Sequence, residues 1–307
     1  MKVVCLSGGV GGAKLAAGLH DVLEPGELTV IGNVGDDLDV LGLHVSPDLD
    51  SVLYALAGIN DTERGWGRAG ETWETLESAR AWGGEGWFML GDRDIGLHLV
   101  RSQALRDGES LSGITARLVL AAGLETRMLP ATDDRLRTQL VTPAGTFPFQ
   151  EWFVARRHED EVDALRYDGA DVSRPAPGVI EAIEGAEAIV ISPSNPYVSI
   201  HPILAVPGIR EAIEARRSRC VAVSPLIGGR AVRGPLDRMM QRLAGGTTPA
   251  HVARCYDGLL DALVIDAVDA TAETDGAVVV TDTLITDRDA ARRLAETTLE
   301  ATMENPS

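Results

Sequence analysis

Near the start of the chain, Ser7-Gly8-Gly9-Val10-Gly11-Gly12-Ala13-Lys14 joins a short apolar run, Val3 to Leu6, to an apolar helical pattern from Leu15 to Leu23. Glycines leave successive backbone N–H groups free to converge on an anion, and the start of the following helix adds partial positive charge. Lys14 adds a full charge. Gly8, Gly9, Gly11, Gly12 and Lys14 are therefore candidates for cradling a phosphate or diphosphate. The segment fits neither familiar template. A P-loop needs Gly-Lys-Ser/Thr, and Ala13-Lys14-Leu15 offers no hydroxyl to magnesium. A dinucleotide fingerprint begun at Gly9 meets Lys14 where its third glycine belongs. The alternative is a tight strand-to-helix turn with no ligand.

The missing hydroxyl turns attention to carboxylates. Gly35-Asp36-Asp37-Leu38-Asp39 follows the second apolar run, and Ser46-Pro47-Asp48-Leu49-Asp50 comes soon after. So many carboxylates at a strand end repel one another unless they bind a cation or take up protons. Magnesium is held by one or two carboxylates together with substrate phosphates. Asp36, Asp37, Asp48 and Asp50 are the candidate metal ligands, although Asp48 also suits a helix N-cap ahead of Val52, Leu53 and Leu56. In Leu90-Gly91-Asp92-Arg93-Asp94 a carboxylate can fix the Arg93 guanidinium and aim it at a ligand; the same residues also suit a cap with a surface ion pair. His98 and Arg101 follow on the helix face of Asp94 and could bring positive charge to it, although an isolated His98 equally fits a core position. Ser194 and Asn195 in Pro193-Ser194-Asn195-Pro196, and Ser224 and Gly228 in Ser224-Pro225-Leu226-Ile227-Gly228-Gly229, can donate to a phosphate or read a base edge. Turns of this kind also close on themselves without a ligand. No Ser–His–Asp order, zinc-ligand spacing or Cys–His pair stands out. The remaining set suits phosphoryl or phosphodiester transfer by positioning and charge neutralisation.

Elements that could position these residues are legible. Apolar runs at Val3–Leu6, Leu28–Ile31, Ala188–Ile191, Cys220–Val223, Leu263–Ile265 and Ala277–Val280 alternate with helical patterns, which predicts an α/β fold with a doubly wound, mostly parallel Rossmann-like sheet. Several of these runs end in polar turns, and ligands of such sheets bind at the carboxyl ends of strands. Residues 1–59 and 176–307 read as the nucleotide-binding core, and 60–175 as a helical and β-hairpin insertion covering it. Within the insertion, helices are expected over 71–81, 95–106 and 111–122, and a hairpin over 137–142 and 146–154. Trp66, Trp73, Trp82, Trp87 and Trp152 fall there, suiting either a cover for a flat ligand or a small core. Glu304 to Ser307 are expected to fray.

With 307 residues and 45% hydrophobic content the chain can bury a large core. Its net charge of −18, from 28 basic and 46 acidic residues, excludes a basic nucleic-acid footprint. An acidic protein that binds phosphates must supply positive charge locally or through a metal. Three scattered cysteines point to a reducing compartment, and no apolar run reaches membrane-spanning length, so a cytoplasmic location is expected.

The segments above, together with Asn33-Val34-Gly35, Gly65-Trp66-Gly67, His98-Leu99-Val100-Arg101-Ser102 and Phe149-Gln150-Glu151-Trp152, resemble the CofD/FbiA family in order from the first residues to past residue 235. The resemblance implies a magnesium-dependent, homodimeric enzyme of factor 420 synthesis. Such an enzyme moves a phospholactyl or phosphoenolpyruvyl unit from a guanosine-diphosphate-activated donor to the deazaflavin Fo and releases GMP. It further implies that the glycine segment, Ser194, Asn195 and the Ser224–Gly228 turn hold the guanosine diphosphate. Asp50 and Arg93 would meet the deazaflavin, with Asp92 and Arg101 among the binding residues and Asp50 as the general base. Val10-Gly11-Gly12-Ala13-Lys14 stands where archaeal lactyl-type members carry Thr-Gly-Thr-Pro-Lys, which places the chain nearer the bacterial, phosphoenolpyruvyl-type branch. The alternative is a YvcK-like sugar-nucleotide-binding regulator of the same fold; Gly65-Trp66-Gly67 and Gly91-Asp92-Arg93-Asp94 favour the transferase.

Overall fold

The computed structural model describes residues 1–216 and 218–303, so the end expected to fray, 304–307, lies outside the described residues. Runs of aliphatic residues buried on both faces build a seven-stranded parallel sheet. From one edge to the other it consists of Val278–Thr281, Ala262–Asp266, Arg219–Val223, Ala188–Ile191, Val3–Ser7, Leu28–Gly32 and Arg127–Pro130. Chain order therefore runs outward in both directions from the centre and reverses between Val3–Ser7 and Ala188–Ile191, which pair in register Val3 to Ala188. That reversal is the doubly wound arrangement expected from the sequence, and it opens a crevice at the carboxyl ends of the two central strands.

All six expected strands are present within a residue or two of their predicted ends. Arg127–Pro130 was not expected. It lies inside the stretch read as an insertion, yet it pairs with Leu28–Gly32 and forms the sheet's edge. A four-residue strand that opens with arginine and closes with proline has the composition of an edge, which needs only one partner and carries a weak apolar signal. The rest of 60–175 contains the helices Glu74–Ala81, Asp92–Arg106 and Leu111–Ala121 and a three-stranded antiparallel sheet. In that sheet Arg137–Thr142 pairs with both Gly145–Pro148 and Ala164–Asp168. The second hairpin arm stops at Pro148, earlier than predicted, because Glu151–Ala155 coils into a π-helical turn that buries Trp152.

A second difference concerns the glycine segment. The first helix spans Gly9–Val22, so Gly9 to Lys14 form its opening turns where a loop was expected. Low helix propensity argues against this from sequence, and tertiary packing overrides it. The same helix packs on the C-terminal helix Arg288–Met303, and at their crossing a Cβ on Gly18 would overlap the Ala291 carbonyl. Alanine normally gains about 1 kcal/mol over glycine inside a helix, whereas forcing an added methyl against backbone costs about 1–3 kcal/mol. Gly18→Ala is therefore expected to lower the urea midpoint of unfolding; a rise would show that the two helices can separate without cost.

Candidate active site

At the sheet's switch point the turns after the two central strands meet almost without side chains between them. The Ser194 hydroxyl donates to the Gly8 carbonyl at 2.6 Å. A Cβ on Gly12 would overlap the Ser194 hydroxyl and lie 2.6 Å from that of Ser7, and one on Gly8 would overlap the Asp48 carboxylate. Glycine is thus required here for close approach, and this brings the start of the Gly9–Val22 helix to the floor of a cavity of about 640 Å³. Gly8, Gly9, Val10 and Gly11 line that floor, presenting the helix's positive end.

Two cations stand over it. Lys14 Nζ donates to the Ile285 carbonyl at 2.8 Å, and burial, reinforced by the nearby Arg233 charge, holds its ammonium below the usual lysine range. Arg233 lines the same cavity, packs on Gly65 and donates to the Arg64 carbonyl at 3.3 Å, spanning from the core to the insertion. Sequence reasoning missed it. The signal was present in Gly229-Arg230-Ala231-Val232-Arg233-Gly234, a basic, glycine-bounded stretch in a strongly acidic chain.

Opposite the cations are carboxylates. Asp36 and Asp48 line the cavity yet are buried. Asn33 Nδ2 donates to both, at 3.3 Å and 2.8 Å, and Gln150 Nε2 donates to Asp36 at 2.9 Å. Burial and the charges of Asp48 and Asp37 push the Asp36 carboxyl well above its ordinary range. Burial pushes Asp48 up to about 6 against the hydrogen bonds that favour its anion. Asp37 faces away, accepting from the Ser46 hydroxyl and lying 3.1 Å from His44 Nε2. Among the described residues no three His, Cys, Asp or Glu side chains form a metal cluster. Two carboxylates raised chiefly by burial and bridged by Asn33 nevertheless fit magnesium, which completes its shell with water and substrate phosphates. Asp36 and Asp48 are the pair that could hold it.

Asp94, His98 and Arg101 share one face of the helix Asp92–Arg106, as their spacing predicted, and that face meets the helix Pro47–Leu56. Arg101 is buried and grips both oxygens of Asp50, one through Nη1 at 3.0 Å and the other through Nη2. Asp50 lines the cavity and Arg101 lies behind it. Asp94 also lines the cavity beside Tyr54, and burial raises its carboxyl to about 6 against the favourable effect of the Tyr54 hydroxyl. Asp92 and Arg93 are elsewhere. Asp92 accepts from the Thr72 hydroxyl and from the Glu74 and Thr75 amides, capping the helix Glu74–Ala81, and these bonds hold it down to about 2. Exposed Arg93 donates to the Ala69 carbonyl at 3.1 Å. Asn195 and Ser224 reach the cavity, but the Gly228 amide turns to Asp269 at 2.9 Å. The structure thus gathers Gly8, Gly9, Gly11, Lys14, Asp36, Asp48, Asp50, Ser194, Asn195 and Ser224 at one cavity. Gly12, Asp37, Asp92, Arg93, Arg101 and Gly228 stand off its wall.

The family model for 2-phospho-L-lactate transferase CofD matches residues 3–303. The chain belongs to the CofD family. Among its relatives, a phosphoenolpyruvate transferase of Streptomyces griseus subsp. griseus is 43% identical over 315 residues, covering 99% of each chain. One from Kitasatospora aureofaciens is 43% identical over 311 residues and 97% of each. A UPF0052-family protein from Bacillus halodurans, at 18% identity and TM-score 0.64, covers 97% of this chain and 99% of its own and shares the fold. As a CofD-family member the chain is a transferase of factor 420 synthesis. No helix among the described residues is long and apolar enough to cross a membrane.

The buried carboxylates of this CofD-family site have a measurable cost. The folded-state pKa of Asp48, about 6, exceeds the ordinary carboxylate value, so the native state holds this proton more tightly. The group is then neutral to stability below about pH 4 and destabilising once pH rises above about 6. A shift of that size is on the order of 2–3 kcal/mol. Asp48→Asn is expected to raise Tm at pH 8 and to leave it near wild type at pH 4. Equal Tm changes at both pH values would remove burial as the cause.

Proposed function

We propose that the chain transfers a phosphoenolpyruvyl group from a guanosine-diphosphate-activated donor to the ribityl hydroxyl of Fo and releases GMP. The observation that carries this reading is the meeting of Lys14 and Arg233 with the buried Asp36–Asp48 pair over a helix start, at the switch point of a doubly wound sheet. A diphosphate calls for the cations and helix end, and a divalent ion calls for the carboxylates. The relatives' phosphoenolpyruvate transferase activity supports the enolpyruvyl donor over the lactyl one. Their 43% identity over nearly the whole chain also favours an enzyme over a nucleotide-binding regulator.

On this reading the diphosphate lies across the start of the Gly9–Val22 helix, with the nucleoside toward Asn195 and Ser224. Fo lies at the other end, among Trp66, Phe88 and Tyr54. Magnesium bound by Asp36, Asp48 and the donor would neutralise charge on the phosphates. The Fo hydroxyl attacks the phosphorus bearing the enolpyruvyl unit, the bond to the GMP oxygen breaks, and Lys14 and Arg233 meet the charge that develops on the leaving phosphate. Both Asp50 oxygens are taken by Arg101, so the hydroxyl proton is assigned to Asp94, whose raised pKa and place on the cavity wall suit a general base. Arg93 acts at one remove, by holding Ala69 and the turn that carries Trp66.

Mass spectrometry of products from Fo with each activated donor tests the reaction: enolpyruvyl-phospho-Fo and GMP are expected, and the absence of both phosphorylated products would overturn it. Lys14→Met and Arg233→Met are each expected to lower kcat/KM for the donor roughly 10- to 100-fold, the scale of a lost charge-assisted bond, without changing Fo affinity. Asp94→Asn should lower kcat by on the order of 100-fold or more while both substrates still bind; a wild-type rate would pass the base role to another group.

A further inference from the structure

His98 is buried between the helices Asp92–Arg106 and Pro47–Leu56, and it lines the cavity at the end where the proposed function places Fo. Its Nδ1 lies 3.3 Å from Arg101 Nη1, and Asp50 Oδ2 is farther off at 3.7 Å. A guanidinium can only donate. Nδ1 must therefore present its lone pair to Arg101, and a neutral imidazole then carries its single proton on Nε2. Burial, opposed by Asp50 and joined by the Arg101 charge, lowers the His98 pKa to about 4, so the ring is neutral near pH 7. Nε2 has no hydrogen-bond partner among the described residues. Arg101 is itself locked by its double bond to Asp50. The outcome is a buried N–H donor of fixed tautomer and fixed direction, with nothing among the described residues to receive it.

The geometry points to His98 as the residue that selects the acceptor substrate, donating from Nε2 to a carbonyl or ring-nitrogen acceptor on its heteroaromatic ring, with the Arg101–Asp50 pair as the positioning unit. This assignment rests on the transferase reading for the identity of that ring. It accounts for two features that the phosphate chemistry leaves unused: a histidine kept neutral, and an ion pair buried behind the cavity. A donor of fixed tautomer discriminates well, because a ring lacking the matching acceptor would leave a buried N–H unpaired.

Two measurements test it. In the ligand-free protein at pH 7, long-range ¹H–¹⁵N spectra of the imidazoles should show His98 as the neutral Nε2–H tautomer; an Nδ1–H form or an imidazolium would overturn the assignment. Titration of Fo fluorescence should then show His98→Asn and His98→Phe binding Fo roughly tenfold more weakly, the scale of one lost hydrogen bond to a ligand, with guanosine diphosphate affinity unchanged. His98→Gln, whose amide nitrogen reaches the Nε2 position, should recover most of the loss. If wild type binds Fo and all three variants bind it equally well, the His98 contact is wrong and the transferase reading stands. If the variants lose guanosine diphosphate in parallel, His98 is only structural and the contact falls. If wild type itself does not bind Fo, both fall.

Discussion

Two strand-end turns touch at the centre of the sheet with hardly a side chain between them, and every other part of the site takes its position from that contact. Gly8 and Gly12 leave room for Ser194 and Asp48 to press against the chain, and the Ser194 hydroxyl ties one turn to the other. Any side chain there would push the first helix off the cavity floor. Because the approach is so close, the helix's positive end opens directly into the crevice, and the carboxylate of Asp48 is carried into the interior with it. Anion attraction and carboxylate burial are therefore two results of one packing decision.

That coupling explains how a chain of net charge −18 can serve an anionic ligand. The field of the whole surface opposes phosphate, but interactions at a few ångströms in a partly enclosed site outweigh distant, screened charges. Lys14 comes from the first helix and Arg233 from a turn far along the chain, while on the same cavity burial holds the Asp36 carboxyl well above its ordinary range and Asp50 is paired with Arg101. The protein accepts unfavourable carboxylate burial at the site and recovers stability from the two-sided aliphatic core of its sheet. The insertion has a separate electrostatic unit in Asp50, Arg101 and His98, which joins its long helix to the core through one buried fork.

Much of this could be read from residue order. Strands such as Ala188–Ile191 are legible because burial on both faces demands an unbroken aliphatic run. The glycine segment and Asp36, Asp48 and Lys14 are legible because their chemistry is local to strand ends. Other features depend on contacts that sequence spacing does not encode. Asp92 reads as a ligand group beside Arg93, yet it caps a helix that begins 18 residues earlier. Arg101 and Asp50 meet across 51 positions, so each looked free to bind a ligand. The helical state of Gly9 to Lys14 was hidden because intrinsic propensity opposes it and the support comes from distant segments such as the turn at Pro193–Ser194.

The register of Val3 with Ala188 also governs the order of assembly on the ribosome. Leu28–Gly32 is available to the first strand almost at once, but its other neighbour emerges only after the whole insertion has been made. The first helix waits longer still, since the face carrying Gly18 is covered by the last helix. Contacts of such sequence separation are slow to form, and apolar surface stays open in the meantime. The crevice therefore does not exist in a half-made chain. It comes into being only once Ala188–Ile191 has joined the sheet beside Val3–Ser7, far along the chain.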